Sequence, residues 1–319
     1  MLPVTPDTIR AAERRIAGHV RRTPLLSLPN GAFGLSNRIT LKLECLQHAG
    51  SFKSRGAFNN LLSLPVPEAG ITAASGGNHG AAVAYAAQAL GTKARIFVPE
   101  ISAAAKIAKI REFGAEVVVG GARYDDAQAA CDRYASESGA LKIHPFSAWG
   151  TMDGQGTTAL EWDAQLTDQG LPALDSALIA AGGGGLISGM ALWWQRRIKL
   201  VGVEPEGSRA LHAALEAGSP VDVPVNSIAA DALGAKNVGD KVLAAAQAGV
   251  DHVALVPDSA IIAAQKALWS DYRIATEPAG AAALGALLCG AYKPAENEHV
   301  GVLVCGANVD LSALQANVG

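Results

Sequence analysis

The sequence predicts an α/β protein built on mainly parallel sheets, and three observations carry that prediction. Short apolar runs rich in β-branched residues alternate with helical stretches along most of the chain. Clusters of small residues fall where such a run ends and a helix begins, the place where open α/β sheets gather ligands. With 319 residues, half of them hydrophobic and 17% charged, the chain is long enough to bury one large core or two smaller ones.

Asp7 to Val20 reads as a first helix, followed by the turn RRTPLL and an extended ITLKLE (39–44). GSFKSRGAF (50–58) opens a helix, with Ser51 placed to cap it and Lys53 heading a face shared with Ala57, Leu61 and Leu64. Strands are expected at ITAA (71–74), ARIFV (94–98), AEVVV (115–119), SALIAA (176–181), KLVGVE (199–204), HVALV (252–256) and VGVLVC (300–305). Helices are expected over 79–90, 102–113, 122–137, 155–167, 186–197, 258–270 and 278–289. Right-handed crossovers then follow from the alternation.

A net charge near −3 gives no electrostatic footprint for nucleic acid or an acidic membrane. The four cysteines are scattered without a CxxC, which points to neither a zinc site nor a disulfide framework. The polar N-terminus lacks a secretory apolar stretch, and the most apolar run is broken by GGGG, so a cytoplasmic protein is expected.

Three loops carry chemistry. ASGGNHG (74–80) brings Ser75, Asn78 and His79 to a helix N-terminus, which suits a carboxylate or another anion; a tight capped turn is the plainer reading. AAGGGGLISGM (180–190) sets four glycines before an apolar helix, an entropic cost that a plain connection rarely needs, and it reads as a phosphate cradle. It is not a Walker loop, and GQGTTA (154–159), though it matches GxGxxA, follows no strand. VLVCGANVD (302–310) places Cys305 at a strand end. A lysine amine in an apolar site at a positive helix end should be readily deprotonated, the condition for Schiff-base chemistry. Together with a phosphate cradle, that points to pyridoxal 5′-phosphate (PLP).

LKLECLQHAGSFKSRGA, ASGGNHGAAVAYAAQALG, VPE, GAEVV, HPF, GQGT, AAGGGGLISG, VEPEGS, TEPAGAAALGAL and CGANVD occur in the order found in fold-type II PLP enzymes. Over almost its whole length the chain resembles the serine/threonine dehydratase and serine racemase group. The resemblance implies a tryptophan synthase β-like, two-domain architecture. A large PLP-binding domain would take 1–66 and 149–319, and a small domain, 67–148, would contribute the carboxylate loop. It implies that Lys53 forms the internal aldimine with Phe52 beside the ring and Asn78 on the phenolic oxygen. Gly182, Gly183, Gly184, Gly185 and Leu186 would hold the phosphate, and Cys305 would face the pyridine nitrogen. Ser75, Asn78 and His79 would grip the substrate carboxylate. The implied reaction dehydrates an L-β-hydroxy amino acid such as serine or threonine to a 2-oxo acid and ammonia, in a homodimer.

Some residues depart from the pattern. Racemases of this group carry a serine where this chain has Gly76, which disfavours racemisation. Glu204 matches a carboxylate of the group's cation site, but the aspartate expected six residues on is Ala210; a divalent cation, a monovalent one and none all stay open. No regulatory extension is expected after Gly319, nor feedback by isoleucine. Asp231, in IAADALGAKNVG (228–239), falls near the position that meets the substrate hydroxyl, or else caps a helix. The small ALGA after it admits a bulkier or more polar substrate, phenylserine or 3-hydroxyaspartate. A β-replacement synthase, a racemase and a non-catalytic PLP carrier are the alternatives.

Overall fold

The computed structural model describes residues 2–310, 312, 314 and 315. Among them, ten strands form two sheets: β1 (Leu25–Ser27), β2 (Arg38–Lys42), β3 (Ile71–Ala74), β4 (Ala94–Val98), β5 (Glu116–Val119), β6 (Leu141–Lys142), β7 (Ser176–Ala180), β8 (Lys199–Pro205), β9 (His252–Val256) and β10 (His299–Leu303). The larger sheet runs β1-β2-β10-β7-β8-β9 and the smaller β5-β4-β3-β6. Only β1 pairs antiparallel, with Leu26 opposite Leu41; the other pairs are parallel, as in Ala180 opposite Val203 and Ala73 opposite Ile96. β7 and β10 are buried at every residue. Helices cover both faces of such strands, which is why they read as continuous apolar runs and not as alternating ones. The α/β fold with flanked parallel sheets is therefore the one the sequence predicts.

The first helix, Pro6–Ile16, starts at a capping box in which Thr5 and Thr8 serve each other's backbone N–H groups. It stops short of Val20, the end expected for it. The helix at 155–167 is longer than expected, Trp149–Asp168, and takes in GQGT. Its glycines serve packing: a Cβ on Gly154 would stand 2.6 Å from the Arg55 carbonyl, and one on Gly189 2.3 Å from the Met152 carbonyl. The helices Lys53–Ser63, Trp149–Asp168 and Gly185–Trp194 thus approach backbone to backbone.

Other expectations need correction. The helix predicted over 186–197 stops at Trp194, because Gln195 and Arg196 turn left-handed, at φ 47° and 61°. Helices Ala210–Ala217 and Asp240–Gly249 were not expected. Ser51 is not a cap: Phe52 occupies the N-cap position, and the Ser51 hydroxyl is buried without a partner while its backbone bridges to Gly306. Ser54 instead donates its hydroxyl to the His48 carbonyl, 2.6 Å away. Ala57 and Leu61 are buried on the Lys53 face as expected, but Leu64 lies past the helix end and is exposed.

Candidate active site

Lys53 opens its helix at the end of a segment tied to the CGAN strand end, where Phe52 N–H donates to the Cys305 carbonyl at 3.2 Å. Its Nζ donates to the Pro145 carbonyl at 2.8 Å and lies 5.1 Å from the centre of the Phe52 ring. Burial lowers its pKa to about 8, partly offset by the neighbouring Cys305 and Glu277 side chains. Near neutral pH a useful fraction of this amine is therefore free base.

Phe146, next in the chain after Pro145, lies over the glycine run. A Cβ on Gly183 would stand 2.3 Å from the Phe146 ring, and one on Gly185 2.8 Å from the Phe146 Cα. Gly182 abuts Leu233, 2.6 Å from where a Cβ would stand to its Cα. Gly184 sits at φ +77°, the left-handed region that glycine enters without strain. The next residue, Gly185, starts an apolar helix whose first N–H groups have no acceptor within it, and Leu186 is buried just inside. A side chain at 182, 183 or 185 would collide with Leu233 or Phe146, so the glycines let these segments close on the open helix end. The set of small residues, open helix end and half-buried amine fits PLP, with the phosphate at the glycines.

The anion loop sits at the end of β3. Gly77 N–H donates to Ser75 Oγ at 3.2 Å, and Asn78 and His79 begin the helix Asn78–Ala89. His79 is buried, with Nε2 2.9 Å from the Ile143 carbonyl, so that nitrogen carries the proton. Burial and the neighbouring Lys53 charge push its pKa down to about 3, so its side chain is neutral. What His79 offers an anion is its backbone N–H at the helix start. Gly76 has no room for a side chain: a Cβ there would stand 2.1 Å from Ser102 Oγ. Cys305 is buried, donates to the Ala279 carbonyl at 3.5 Å, and is kept a neutral thiol by burial.

Asp231 lies in the short helix Ala230–Leu233 and pairs with Lys106 from the helix Ala104–Glu112 of the smaller-sheet unit. The Asp231 carbonyl would be 3.5 Å from a Cβ on Gly77, so this short helix roofs the anion loop. Glu204 is fully buried and holds the start of Ala210–Ala217, accepting from Leu211 N at 2.9 Å and His212 N at 2.8 Å. Burial raises its pKa to about 8, against the pull of those two N–H groups. Among the described residues there is no group of three His, Cys, Asp or Glu that could hold a metal ion. Nor is any helix among them long and apolar enough to cross a membrane.

Sequence reasoning missed two residues at the heart of the site, Glu277 and Asn308. Asn78 Nδ2 donates to Glu277 Oε1 at 2.6 Å, and Asn308 Nδ2 donates to Asn78 Oδ1 at 2.7 Å. Their motifs, TEPAG and CGANVD, were visible; a glutamate just before a proline-led helix reads as an ordinary N-terminal carboxylate.

A half-buried lysine, a glycine run before an apolar helix and an anion loop, at the strand ends of a doubly flanked parallel sheet, are the features of the PLP-dependent enzyme class. Residues 16–306 match the pyridoxal-phosphate dependent enzyme family, and the chain belongs to it. It is 35% identical to a phenylserine dehydratase from Ralstonia pickettii, over 98% of this chain and 97% of that one. A maize serine racemase structure superimposes with a TM-score of 0.90 at 34% identity, covering 98% of this chain and 96% of its own. A threonine deaminase structure from T.th. gives a TM-score of 0.90 at 35% identity, covering 97% and 99%. The relatives thus include both dehydratases and racemases.

Proposed function

We propose that this protein dehydrates a neutral L-β-hydroxy amino acid to a 2-oxo acid and ammonia, with PLP held at Lys53. The observation that carries this reading is the half-buried Lys53 amine, hydrogen-bonded to the Pro145 carbonyl one residue before the Phe146 that covers the glycine run. PLP supplies an electron sink for the substrate's α-carbon. The chain's own residues do the rest. Lys53, as free amine, takes the α-proton. Ser75 and the N–H groups of Asn78 and His79 orient the substrate carboxylate. Cys305, a neutral thiol, offers the cofactor ring no full negative charge. The roof at 230–233, tied by Asp231 to Lys106, excludes water from the reacting face. In this reading 1–66 with 149–319 holds the cofactor, and 67–148 brings the anion loop and Lys106 to it.

Two observations support a dehydratase over the related activities. Gly76 faces Ser102 with no space for a catalytic side chain, which argues against a second base and so against racemisation. The full-length likeness to a phenylserine dehydratase favours an aromatic β-substituent as the second candidate beside serine and threonine.

The test is release of ammonia and 2-oxo acid by purified protein with PLP. The panel is L-serine, L-threonine, L-threo-phenylserine and threo-3-hydroxyaspartate, beside Lys53→Ala. Turnover of a neutral substrate, lost in the variant, is the expected result. Bound PLP with no turnover across the panel would leave a carrier, and product formed only with an added nucleophile would make it a β-replacement synthase.

A further inference from the structure

The proposed reaction assigns the TEPAG segment no part, yet it is pinned against the site. Thr276 Oγ1 donates to the Gly306 carbonyl at 2.6 Å, and Glu277 N–H donates to the same carbonyl at 3.3 Å. Gly306 has to be glycine, since a Cβ there would stand 2.1 Å from Glu277 Oε1; Gly280 likewise, since its Cβ would stand 2.0 Å from Thr276 Oγ1. The result is a buried carboxylate held in one place.

The hydrogen bonds around it form a chain with a single sense. The Ala49 carbonyl can only accept, and Asn308 Nδ2 donates to it at 2.8 Å. That fixes which end of the Asn308 amide is nitrogen. The same nitrogen donates to Asn78 at 2.7 Å, so the atom of Asn78 facing it has to be the oxygen. The Asn78 nitrogen then faces Glu277 Oε1, an acceptor, at 2.6 Å. A carbonyl at one end and a carboxylate at the other leave the Asn78 amide one orientation. One N–H of Asn78 is engaged by Glu277 and its second remains to be offered.

We propose that Glu277 is a positioning residue which, with Asn308, sets the Asn78 amide so that its second N–H is presented to the PLP ring before the cofactor binds. This rests on the PLP reading above. The charges that act on Glu277 are Lys106 and Lys53, and Glu277 in turn raises the pKa of the thiols Cys45 and Cys305. Burial raises its pKa to about 7, and the Asn78 hydrogen bond and the Lys106 and Lys53 charges draw it back. In either protonation state Oε1 accepts from Asn78, so the orientation survives titration while the strength of the hydrogen bond changes.

Two measurements test the assignment on the full chain. In the cofactor-free protein, the side-chain amide resonances of Asn78 should move away from their wild-type positions in Glu277→Ala and stay near them in Glu277→Gln. Wild-type Asn78 resonances in Glu277→Ala would overturn the contact. In PLP titrations, Glu277→Ala should weaken PLP at least fivefold and displace the absorption band of the bound cofactor. Glu277→Gln, whose amide oxygen still accepts, should return both to within twofold of wild type. Wild-type affinity and spectrum in Glu277→Ala, or a glutamine variant as impaired as the alanine one, would overturn it. Should Glu277→Ala fail to fold, Asn308→Ala removes the other determinant and must weaken PLP in the same direction. A wild-type protein that takes no PLP would sink the functional reading, while the cofactor-free Asn78 resonances still decide this one.

Discussion

Replacing Glu44 by alanine should cost this protein a large part of its stability. Glu44 and Arg55 are both almost wholly buried. Arg55 reaches Glu44 through Nε at 2.8 Å and Nη2 at 2.6 Å, and Glu161 through Nη2 at 3.0 Å. Lys42 closes the group, pairing with Glu161 and donating to the Thr23 carbonyl at 2.9 Å and Gln165 Oε1 at 2.7 Å. Two cations thus face two carboxylates. Removing Glu44 leaves one buried positive charge in excess, and breaking such a pair from one side costs roughly 3–5 kcal/mol. The whole stability of a domain is only about 5–15 kcal/mol. The exposed pair Lys109–Glu112, at 3.0 Å, is the control, and its loss should cost less than about 1 kcal/mol. Urea unfolding followed by far-UV circular dichroism measures both, read from midpoints at unchanged slope. The pH dependence has a definite sign. Burial pushes the Glu44 pKa up, but the Arg55 charge and hydrogen bonds outweigh it and hold the pKa below the ordinary value. Its contribution is therefore complete above the unfolded carboxylate's pKa of about 4 and is lost as pH falls through the lower folded value. A Glu44→Ala variant within about 1 kcal/mol of wild type would refute the reasoning, since an uncompensated buried guanidinium cannot be that cheap.

Gly183→Ala should weaken the cofactor site without unfolding the chain, because its new methyl would meet the half-buried Phe146 ring at 2.3 Å and displace it from the glycine run. We expect PLP affinity, measured by equilibrium dialysis, to fall about tenfold or more, ~1.4 kcal/mol, with the urea midpoint little changed; wild-type affinity would remove the glycines from the phosphate site. The pKa of Lys53, lowered by burial to about 8, predicts that PLP uptake by the cofactor-free protein accelerates with pH and levels off above about 8. Stopped-flow absorbance measures it, and an acceleration that continues toward the ordinary lysine value of about 10.4 would show that Nζ is solvated.

The strands were the most legible part of the sequence because β-branched residues and buried faces go together, as in β7 and β10. The strands missed are β1 and β6, three and two residues long, too short to carry a pattern. Helices Ala210–Ala217 and Asp240–Gly249 were missed for another reason: they are short, eight and ten residues, and give the pattern few turns in which to repeat. Lys42 and Glu44 look like the water-facing side of an extended segment in LKLE. They are buried because the helix Trp149–Asp168 brings Glu161 and Gln165 over them.

The site divides along the same line. What one loop does by itself could be read: the glycines before an apolar helix and the lysine after a glycine-serine turn. What needs two segments to meet could not. Asn78 and Glu277 are 199 residues apart, and Asn78 and Asn308 are 230 apart. Nothing local in TEPAG distinguishes a carboxylate that caps its own helix from one that reaches across to another. The structure separates the two cases, because the Glu277 side chain makes no capping hydrogen bond to its own helix. A carboxylate at a helix N-terminus that leaves the helix uncapped gives up a stabilising contact of roughly 1 kcal/mol. In this chain Oε1 faces the Asn78 amide instead, beside the amine that would carry the cofactor.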